Sequence, residues 1–341
     1  MALWTDFITP QELTGYVRAD LEDYEIAKGT LARWLPNRQI ADTVVRFFVG
    51  QAGLVDEARY RAYDAAPETG RVKGGKRVTV EIPALSLEVP VSEYNQLRGR
   101  QSATDSQIRQ WIINAAVNLA RGVADRTERQ RGTVLATGTA IIAQDNFAET
   151  TDFGRDASMT TTIAHLWSDP DSDRIGDLEA LTDHYVTVNG DEPGCMVMSK
   201  RAFRGLQSGT QFATQLLNGA SRPATADQVR STIEGAGLPP IILFDRKTSG
   251  GRVLPEKTVL MLPAPGDTAD EAGAPLGSTF WGQTLTSTDP AYGLAGGEQP
   301  GVVLGAYRGE KPPMIAEVIV DAMSMPVLAN GDLSMAFNVF A

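Results

Sequence analysis

The chain has 341 residues, of which 42% are hydrophobic and 21% are charged, and such a composition is typical of soluble folded proteins with a large core. Its formal net charge of −11 disfavours a protein that binds nucleic acid over its whole surface, because phosphates would be repelled. The single cysteine, Cys195, excludes an internal disulfide and a cysteine-rich metal site. No apolar run has the length of a membrane span and no signal pattern opens the chain, so we expect no membrane partner and a cytoplasmic site of synthesis and assembly.

Residues 1–43 are rich in apolar and aromatic side chains but show no regular period. Pro10, Gly15, Gly29 and Pro36 interrupt them. The pattern predicts an extended N-terminal arm that lies on another body, such as a neighbouring chain, with a short helix over Pro10–Asp20.

Residues 44–91 show strand-like alternation, with apolar side chains at every second position over 58–62 and 78–82. The alternation changes phase at Pro83, as expected for a bend. A polar, glycine-rich stretch at 64–76 separates the two runs. We therefore predict an extended loop over 44–91, built as a long β-hairpin that must pack on the body or on another subunit.

Four basic residues surround the predicted tip of this hairpin: Arg71, Lys73, Lys76 and Arg77. A phosphate-binding loop is poorly supported, because the P-loop spacing is absent and no helix follows. A solvated charged tip and an inter-subunit contact with acidic groups of a neighbour remain as interpretations. We list the four residues as predicted inter-subunit contacts.

The longest predicted element is a helix over 105–137, which no proline interrupts. Apolar residues recur at three- and four-residue steps along it, and Ile108, Ile112 and Leu119 of this series define the core-facing side of the helix. The segment 125–131 is polar all round before the apolar pattern resumes. One interpretation is a core helix with a solvated middle, and the other is a spine about 45–50 Å long on which a flat subunit is built.

The central part of the chain alternates short strands and helices. Strands are expected near Thr139–Ala143, Thr160–Ala164, Cys195–Met198, Ile241–Phe244 and Val259–Leu262, and helices near 174–187, Lys200–Leu206, Thr210–Leu217 and Thr225–Glu234. Asp169, Asp171 and Asp173 resemble the start of a calcium-binding loop, but Arg174 and Ala180 occupy positions that need glycine and glutamate, so helix capping is the better interpretation. The order predicts an α+β fold.

The C-terminal stretch alternates over 316–322 and again over 333–339, on either side of Asn330-Gly331. Asn-Gly is a strong tight-turn signal, so the pattern predicts a closing strand hairpin.

No catalytic constellation is found in the sequence. The only two histidines, His165 and His184, have no metal-site spacing, and nucleophile-elbow, dinucleotide and metalloprotease motifs are missing. We predict no enzyme activity, no cofactor and no metal site, and expect Cys195 to be a buried strand thiol. The absence of catalytic motifs favours a structural protein, which acts through the surface it presents to other molecules.

The element order of arm, extended hairpin, spine helix, mixed central region and closing strands resembles tailed-phage major capsid proteins, most closely the lambda-like family. Three stretches contribute to the resemblance: Ser168–Ile175 ahead of a helix, Cys195–Leu206 as a strand turning into a helix, and Ser324–Ala341. Leu254–Leu260 also resembles the family's entry into a strand.

The resemblance implies the Hong Kong 97-type capsid fold, with a peripheral domain from 92–154 and 310–341 that contains the spine helix, and an axial domain from 155–309. It implies hexamers and pentamers in an icosahedral virion shell, enclosed double-stranded DNA without sequence-specific binding, and scaffolding, portal and decoration proteins as partners. Some members crosslink a loop lysine to an asparagine, but no motif assigns Lys73, Lys76 or Asn338 to that role. An encapsulin-type compartment shell and, further off, a cytoplasmic enzyme are the alternatives.

Overall fold

The computed structural model describes residues 2–49, 76–91, 105–144, 147–215, 221–266 and 275–341. Within these ranges the α-helices are α1 Pro10–Lys28, α2 Asp105–Thr137, α3 Arg174–Asn189, α4 Lys200–Gln207, α5 Ala226–Gly235 and α6 Leu285–Thr288. The first strands are β1 Ala2–Leu3, β2 Asn37–Gln39, β3 Val44–Val49, β4 Lys76–Glu81, β5 Ala84–Val91, β6 Thr139–Gln144, β7 Phe147–Asp152, β8 Thr160–Thr162 and β9 Cys195–Met198. The remaining strands are β10 Thr214–Gln215, β11 Ser221–Arg222, β12 Ile241–Leu243, β13 Lys247–Thr248, β14 Gly251–Arg252, β15 Thr258–Leu262, β16 Gly277–Trp281, β17 Val303–Arg308, β18 Ala316–Leu328 and β19 Met335–Asn338.

Helix α2 is the spine expected from the sequence, with 33 residues and a length of about 50 Å. It ends at Thr137, and the next residue, Gly138, has a left-handed φ of 71°, which suits a glycine that terminates a helix. A Cβ at this position would lie 2.6 Å from Arg155 Nε, so the close approach of Arg155 also requires a glycine here.

The first sheet has the order β1-β17-β18-β16-β2, and β5 joins it through β18. β18 is 13 residues long. Its first part lies between β17 and β5, and its last five residues pair with β16. One strand thus links two groups of partners.

The second sheet has the order β12-β9-β15-β19-β8. All four residues of β9 and all five of β15 are buried. Side chains of these strands enter two different hydrophobic cores on the two faces of the sheet. Burial on both faces explains why Cys195–Met198 is a continuous apolar run instead of an alternating one.

Three hydrophobic cores, as far as the described ranges show, hold these layers together. The first packs α1 and the N-terminal half of α2 on β17 and β18, through side chains that include Leu13, Val17, Ile112, Leu119, Leu304 and Val320. The second joins the C-terminal half of α2 to both sheets, through Leu135, Leu260 and Val327 among others. The third lies on the other face of the second sheet, under α3, α4 and α5.

The N-terminal segment differs from the predicted extended arm. Helix α1 begins at Pro10 as expected but continues to Lys28, with Thr9 as its N-cap. It packs on the spine of its own chain, and Leu13 and Val17 are buried there. The irregular spacing hid this helix because its fully buried residues all lie in its first half, while the second half meets α2 largely through polar groups.

The extended hairpin is described at its base, where β3 pairs antiparallel with β4. Residues 50–75, with the predicted strand at 58–62 and most of the tip, lie outside the described residues. The phase change at Pro83 separates β4 from β5, which leaves the hairpin and pairs with β18.

Two predictions were wrong. The closing hairpin does not form, because β18 belongs to the first sheet and β19 lies between β15 and β8 in the second. Asn330 has φ −133°, and the Gly331–Leu333 segment is a short 3-10 turn that carries the chain from one sheet to the other. The predicted helix Thr210–Leu217 is a 3-10 turn, Thr210–Phe212, followed by β10.

In the described part of the chain, no helix has both the length and the apolar character needed to cross a membrane.

Candidate assembly surfaces

The four basic residues of the predicted tip are not brought together by the described structure. Arg71 and Lys73 lie outside the described residues. Lys76 begins β4, and Arg77 follows it with an exposed side chain. Their role as inter-subunit contacts stays a prediction.

The three predicted core residues of the spine lie on the side of α2 that faces α1 and the first sheet. Ile112 is 1% exposed and Leu119 is 6% exposed. Ile108 packs against the edge of the same core and is only partly buried.

The polar middle of the spine is not solvated, which corrects the interpretation of a solvated segment. Glu128 and Arg131 are both 0% exposed. Arg131 Nη1 donates to Glu128 Oε2 at 2.7 Å, and the backbone NH of Leu31 donates to Glu128 Oε1 at 2.6 Å. The segment after α1 therefore binds directly to the buried carboxylate.

Each nitrogen of the Arg131 guanidinium has at least one acceptor. Its Nε donates to Thr279 Oγ1 at 2.9 Å, and its Nη2 donates to Asn37 Oδ1. A second carboxylate, Glu25 Oε1, lies 3.8 Å from Nη1. Burial, together with the neighbouring Glu128 charge, raises the pKa of Glu25, although Arg131 opposes the shift. Two carboxylates therefore share one buried cation.

A second ion pair lies on the spine one turn earlier, and α1 contacts it through Tyr24. Arg246 Nη2 donates to Asp125 Oδ1 at 2.9 Å, and the Tyr24 hydroxyl donates to the same oxygen at 3.2 Å. The Tyr24 ring lies between two guanidinium groups, those of Arg121 and Arg246, at 5.1 and 5.4 Å from its centroid. Burial and the Asp125 charge raise the pKa of Tyr24.

The sequence contained a signal for this buried network. Ala124, Glu128, Arg131 and Leu135 continue the buried stripe of the helix at steps of four, three and four. Two opposite charges three residues apart on such a stripe can form a pair that is taken into a core.

Arg126 and Arg129 differ from the other arginines of the spine. Both are half-buried, and neither guanidinium makes a hydrogen bond or ion pair with any described residue. Burial lowers the pKa of Arg126, and the nearby positive charge of Arg129 lowers it further. Arg126 lines a cavity of about 340 Å³ between the spine, the start of β5 and the end of β6.

A strip of apolar side chains is exposed beside the spine. Leu87 and Val89 on β5 are 48% and 36% exposed, and Trp111 on α2 is 37% exposed. Leu87 and Val89 stand opposite Val320 and Val318, so they continue the apolar side of the sheet. Among the described strands, β5 pairs with β18 alone. Exposed apolar side chains on an edge strand are typical of surfaces that meet another chain.

The other polar candidates have local structural roles. Asp173 caps α3 by accepting from the backbone NH of Gly176, and His165 pairs with Asp177. Cys195 is buried, and burial raises the pKa of its thiol to about 11. Within the described ranges, no three His, Cys, Asp or Glu side chains are placed to hold a metal ion.

No protein-family model and no curated protein sequence matches the chain. Solved structures do match. A prophage capsid protein of E. coli CFT073 aligns with a TM-score of 0.57 at 14% identity, over 96% of this chain and 99% of that one. A phage-related protein of Bordetella bronchiseptica RB50 aligns with a TM-score of 0.54 at 14% identity, over 96% and 95%.

The capsid protein of a native GTA particle aligns with a TM-score of 0.51 at 11% identity, over 92% of this chain and 90% of that one. The E. coli and GTA structures are both described as those of capsid proteins. At these identities the likeness establishes the fold. The chain has the α+β fold of phage major capsid proteins, consistent with the Hong Kong 97-type architecture expected from the sequence.

Proposed function

We propose that this protein is a phage-type major capsid protein that assembles with copies of itself into hexamers and pentamers of an icosahedral shell around double-stranded DNA. The shell is the wall of a virion assembled in the host cytoplasm. Scaffolding, portal and decoration proteins are its proposed partners.

The observation that carries the proposal is the end-to-end structural match. The alignment with the E. coli prophage protein covers 96% of this chain and 99% of that chain. A single domain shared by otherwise different proteins would leave large parts of one or both chains unmatched. The match therefore extends over nearly the whole length of both chains.

Two further features support a shell role. The apolar strip of Leu87, Val89 and Trp111 is available to a neighbouring copy. The net charge of −11 suits a wall that confines DNA without binding it tightly. The division into an arm (1–43), an extended loop (44–91), a peripheral domain (92–154 and 310–341) and an axial domain (155–309) is part of this proposal.

The test is expression of the chain alone and with the scaffolding protein of its own phage or prophage, followed by electron microscopy and sedimentation. We expect closed particles or sheets, and nuclease-protected DNA in particles produced by the complete phage. Only monomers or dimers, even with helper proteins present, would contradict the proposal. Particles filled with an enzyme cargo instead of DNA would support the compartment-shell alternative.

A further inference from the structure

Strand β2 lies at the end of the first sheet and has an open edge. Among the described strands it pairs with β16 alone, and all three of its residues are exposed. The Pro36 carbonyl and the Ile40 NH both bond to β16, at 2.8 and 2.9 Å. Because neighbouring residues of a strand point their backbone groups in opposite directions, Asn37 and Gln39 point theirs away from β16. Such an edge can pair with a strand from another chain.

A groove of about 950 Å³ borders β2 and separates it from the second half of α1. We call it the α1 groove. Leu21, Ala124 and Val302 contribute apolar groups to its lining, and Glu22 and Glu25 contribute carboxylates from α1. A lining of this kind fits an extended segment that carries both apolar and basic side chains.

The charges of the α1 groove differ between its two walls. Glu25 Oε1 is 3.8 Å from Arg131 Nη1, which is too long for a hydrogen bond, and Glu22 is exposed one turn earlier on α1. Two arginines also line the groove. Arg18 donates to two backbone carbonyls at 3.0 and 3.1 Å, whereas Arg38 on β2 is exposed. The α1 wall thus offers two acids to a ligand, and the β2 wall offers one base.

The β3–β4 hairpin has an open edge and the complementary charges. It is a two-stranded sheet, so each strand has a partner on one side only among the described strands. Its register places Arg46, Arg77 and Glu81 on the same face, because residues directly opposite each other project from one side of the sheet. All three are exposed. Two bases and one acid on the hairpin therefore match two acids and one base in the groove.

The hairpin of the same chain does not occupy this groove. Val45 and Val80, on its other face, are buried in the core of their own chain, and neither Arg46 nor Arg77 lines the groove. Among the undescribed stretches, 267–274 starts next to the linker that follows α1. It contains three acidic and no basic residues, so its side chains cannot supply a cation to the α1 wall.

We propose that the open edge of β2 and the α1 groove receive the β3–β4 hairpin of a second copy of the chain. Backbone hydrogen bonds join the two strands, while Arg46 and Arg77 face Glu22 and Glu25. The inference rests on the proposed self-assembly and deepens it by naming one contact between copies. The groove and the hairpin are different parts of each copy, so the contact is head-to-tail, and contacts of this type can close into rings such as hexamers and pentamers.

Charge reversal on one side and then on both sides tests the contact. Glu22→Arg and Arg77→Glu are made singly and together, beside Glu310→Arg and Lys311→Glu on the exposed turn between β17 and β18 as matched controls. Particle yield is measured by sedimentation, and thermal unfolding is measured on dissociated subunits. Each single reversal should lower particle yield about tenfold or more, because like charges then face each other. The double variant should recover most of the yield, and unfolding should be unchanged throughout.

A proline in β2 tests the strand pairing separately. Gln39→Pro removes an NH from the open edge, where proline is tolerated, so particle yield should fall while unfolding of the dissociated subunit stays unchanged. Arg38→Pro is the contrasting variant. It removes an NH that points toward β16, so it should lower the unfolding temperature of the subunit itself.

Each other outcome overturns the inference in a distinguishable way. Normal particle yield from both single reversals would refute the contact, while the shell function would stand. Lower yield from both without recovery in the double variant would show that the two surfaces bind different partners. Lower thermal stability of a dissociated Glu22→Arg or Arg77→Glu subunit would assign that charge to its own chain. Normal yield from Gln39→Pro would refute strand pairing at β2. No assembly by wild type under any condition would refute the shell function itself.

Discussion

The two halves of the spine helix are buried by different means. The N-terminal half, with Ile112 and Leu119, enters an apolar core under α1 and the first sheet. The C-terminal half buries Glu128 and Arg131 completely before Leu135 resumes the apolar contacts. In the apolar half a truncated side chain leaves a cavity, whereas in the charged half it leaves an unpaired charge. The two halves should therefore respond differently to substitution, even though both are core.

Substitution in the charged half of the spine should cause the largest loss of subunit stability. We expect Arg131→Ala to lower the free energy of unfolding by about 3–5 kcal/mol, because Glu128 would remain buried without its cation. Urea unfolding of the dissociated subunit measures the loss. Arg126→Ala is the control on the same helix and should have little effect, since Arg126 has no partner in the described structure. A loss below about 1 kcal/mol for Arg131→Ala would remove the distinction between the halves.

The apolar half should show a cavity effect. Leu119→Ala is expected to cost about 2–5 kcal/mol, depending on how far the core collapses around the missing atoms. The same urea experiment applies. Trp111→Ala, at a half-exposed position on the same helix, should cost less, and an equal loss at both sites would argue against the assigned core face.

The charged half of the spine should also make stability depend on pH, through Glu25. Its pKa is raised in the folded chain by burial and by Glu128, against the influence of Arg131 and Arg246. Because the folded chain binds the proton more tightly, the stabilising contribution is greatest below the ordinary glutamate pKa and declines as pH rises through the raised value.

We therefore expect Glu25→Gln to be more stable than wild type at neutral pH, with a difference that closes as the pH falls toward about 4. Thermal unfolding across this range measures it. Glu22→Gln, at an exposed position on α1, serves as the control. A variant less stable than wild type at pH 7 would show that the Arg131 contact outweighs the cost of burying the carboxylate.

The smallest effect on subunit stability should come from charges at the hairpin tip. Reversing Lys73 and Lys76 to glutamate should leave thermal unfolding by circular dichroism nearly unchanged, because exposed pairs contribute only about 0–1 kcal/mol each. Particle yield or expansion should fall, since every copy in a shell repeats the contact. Lys311→Glu is a control for charge reversal, and normal particles at normal yield and salt resistance would argue against a linking role for the tip.

Periodicity predicted the elements whose burial follows a simple pattern. The spine's bounds, the strand Cys195–Met198 and the helix that begins after Asp173 were all predictable on this basis. The same reasoning treated Glu128 and Arg131 as solvated, because it scored each residue by polarity and not by the pair it can form. The closing hairpin was predicted wrongly at Asn330-Gly331 for a related reason. Turn propensity depends on neighbouring residues only, whereas β19 pairs with β15 and β8, which come from distant parts of the chain.

The unpaired arginines of the spine were not predictable at all. Whether Arg126 finds an acid depends on residues brought close by the fold, and sequence spacing carries no such information. The same holds for Tyr24, whose ring lies between guanidinium groups from two different elements.

Both sheets join early and late parts of the chain: β1 pairs with β17, β5 with β18, and β8 with β19. Such contacts form slowly, because the long intervening chain loses conformational entropy before the strand pairs that offset this loss can form. A ribosome releases the N-terminal part first, so α1, the spine and β5 wait for β17–β19 before either sheet is complete. We expect a nascent chain to lack a finished assembly surface until β17–β19 have emerged, which would delay the first encounter between copies until these strands have been synthesised.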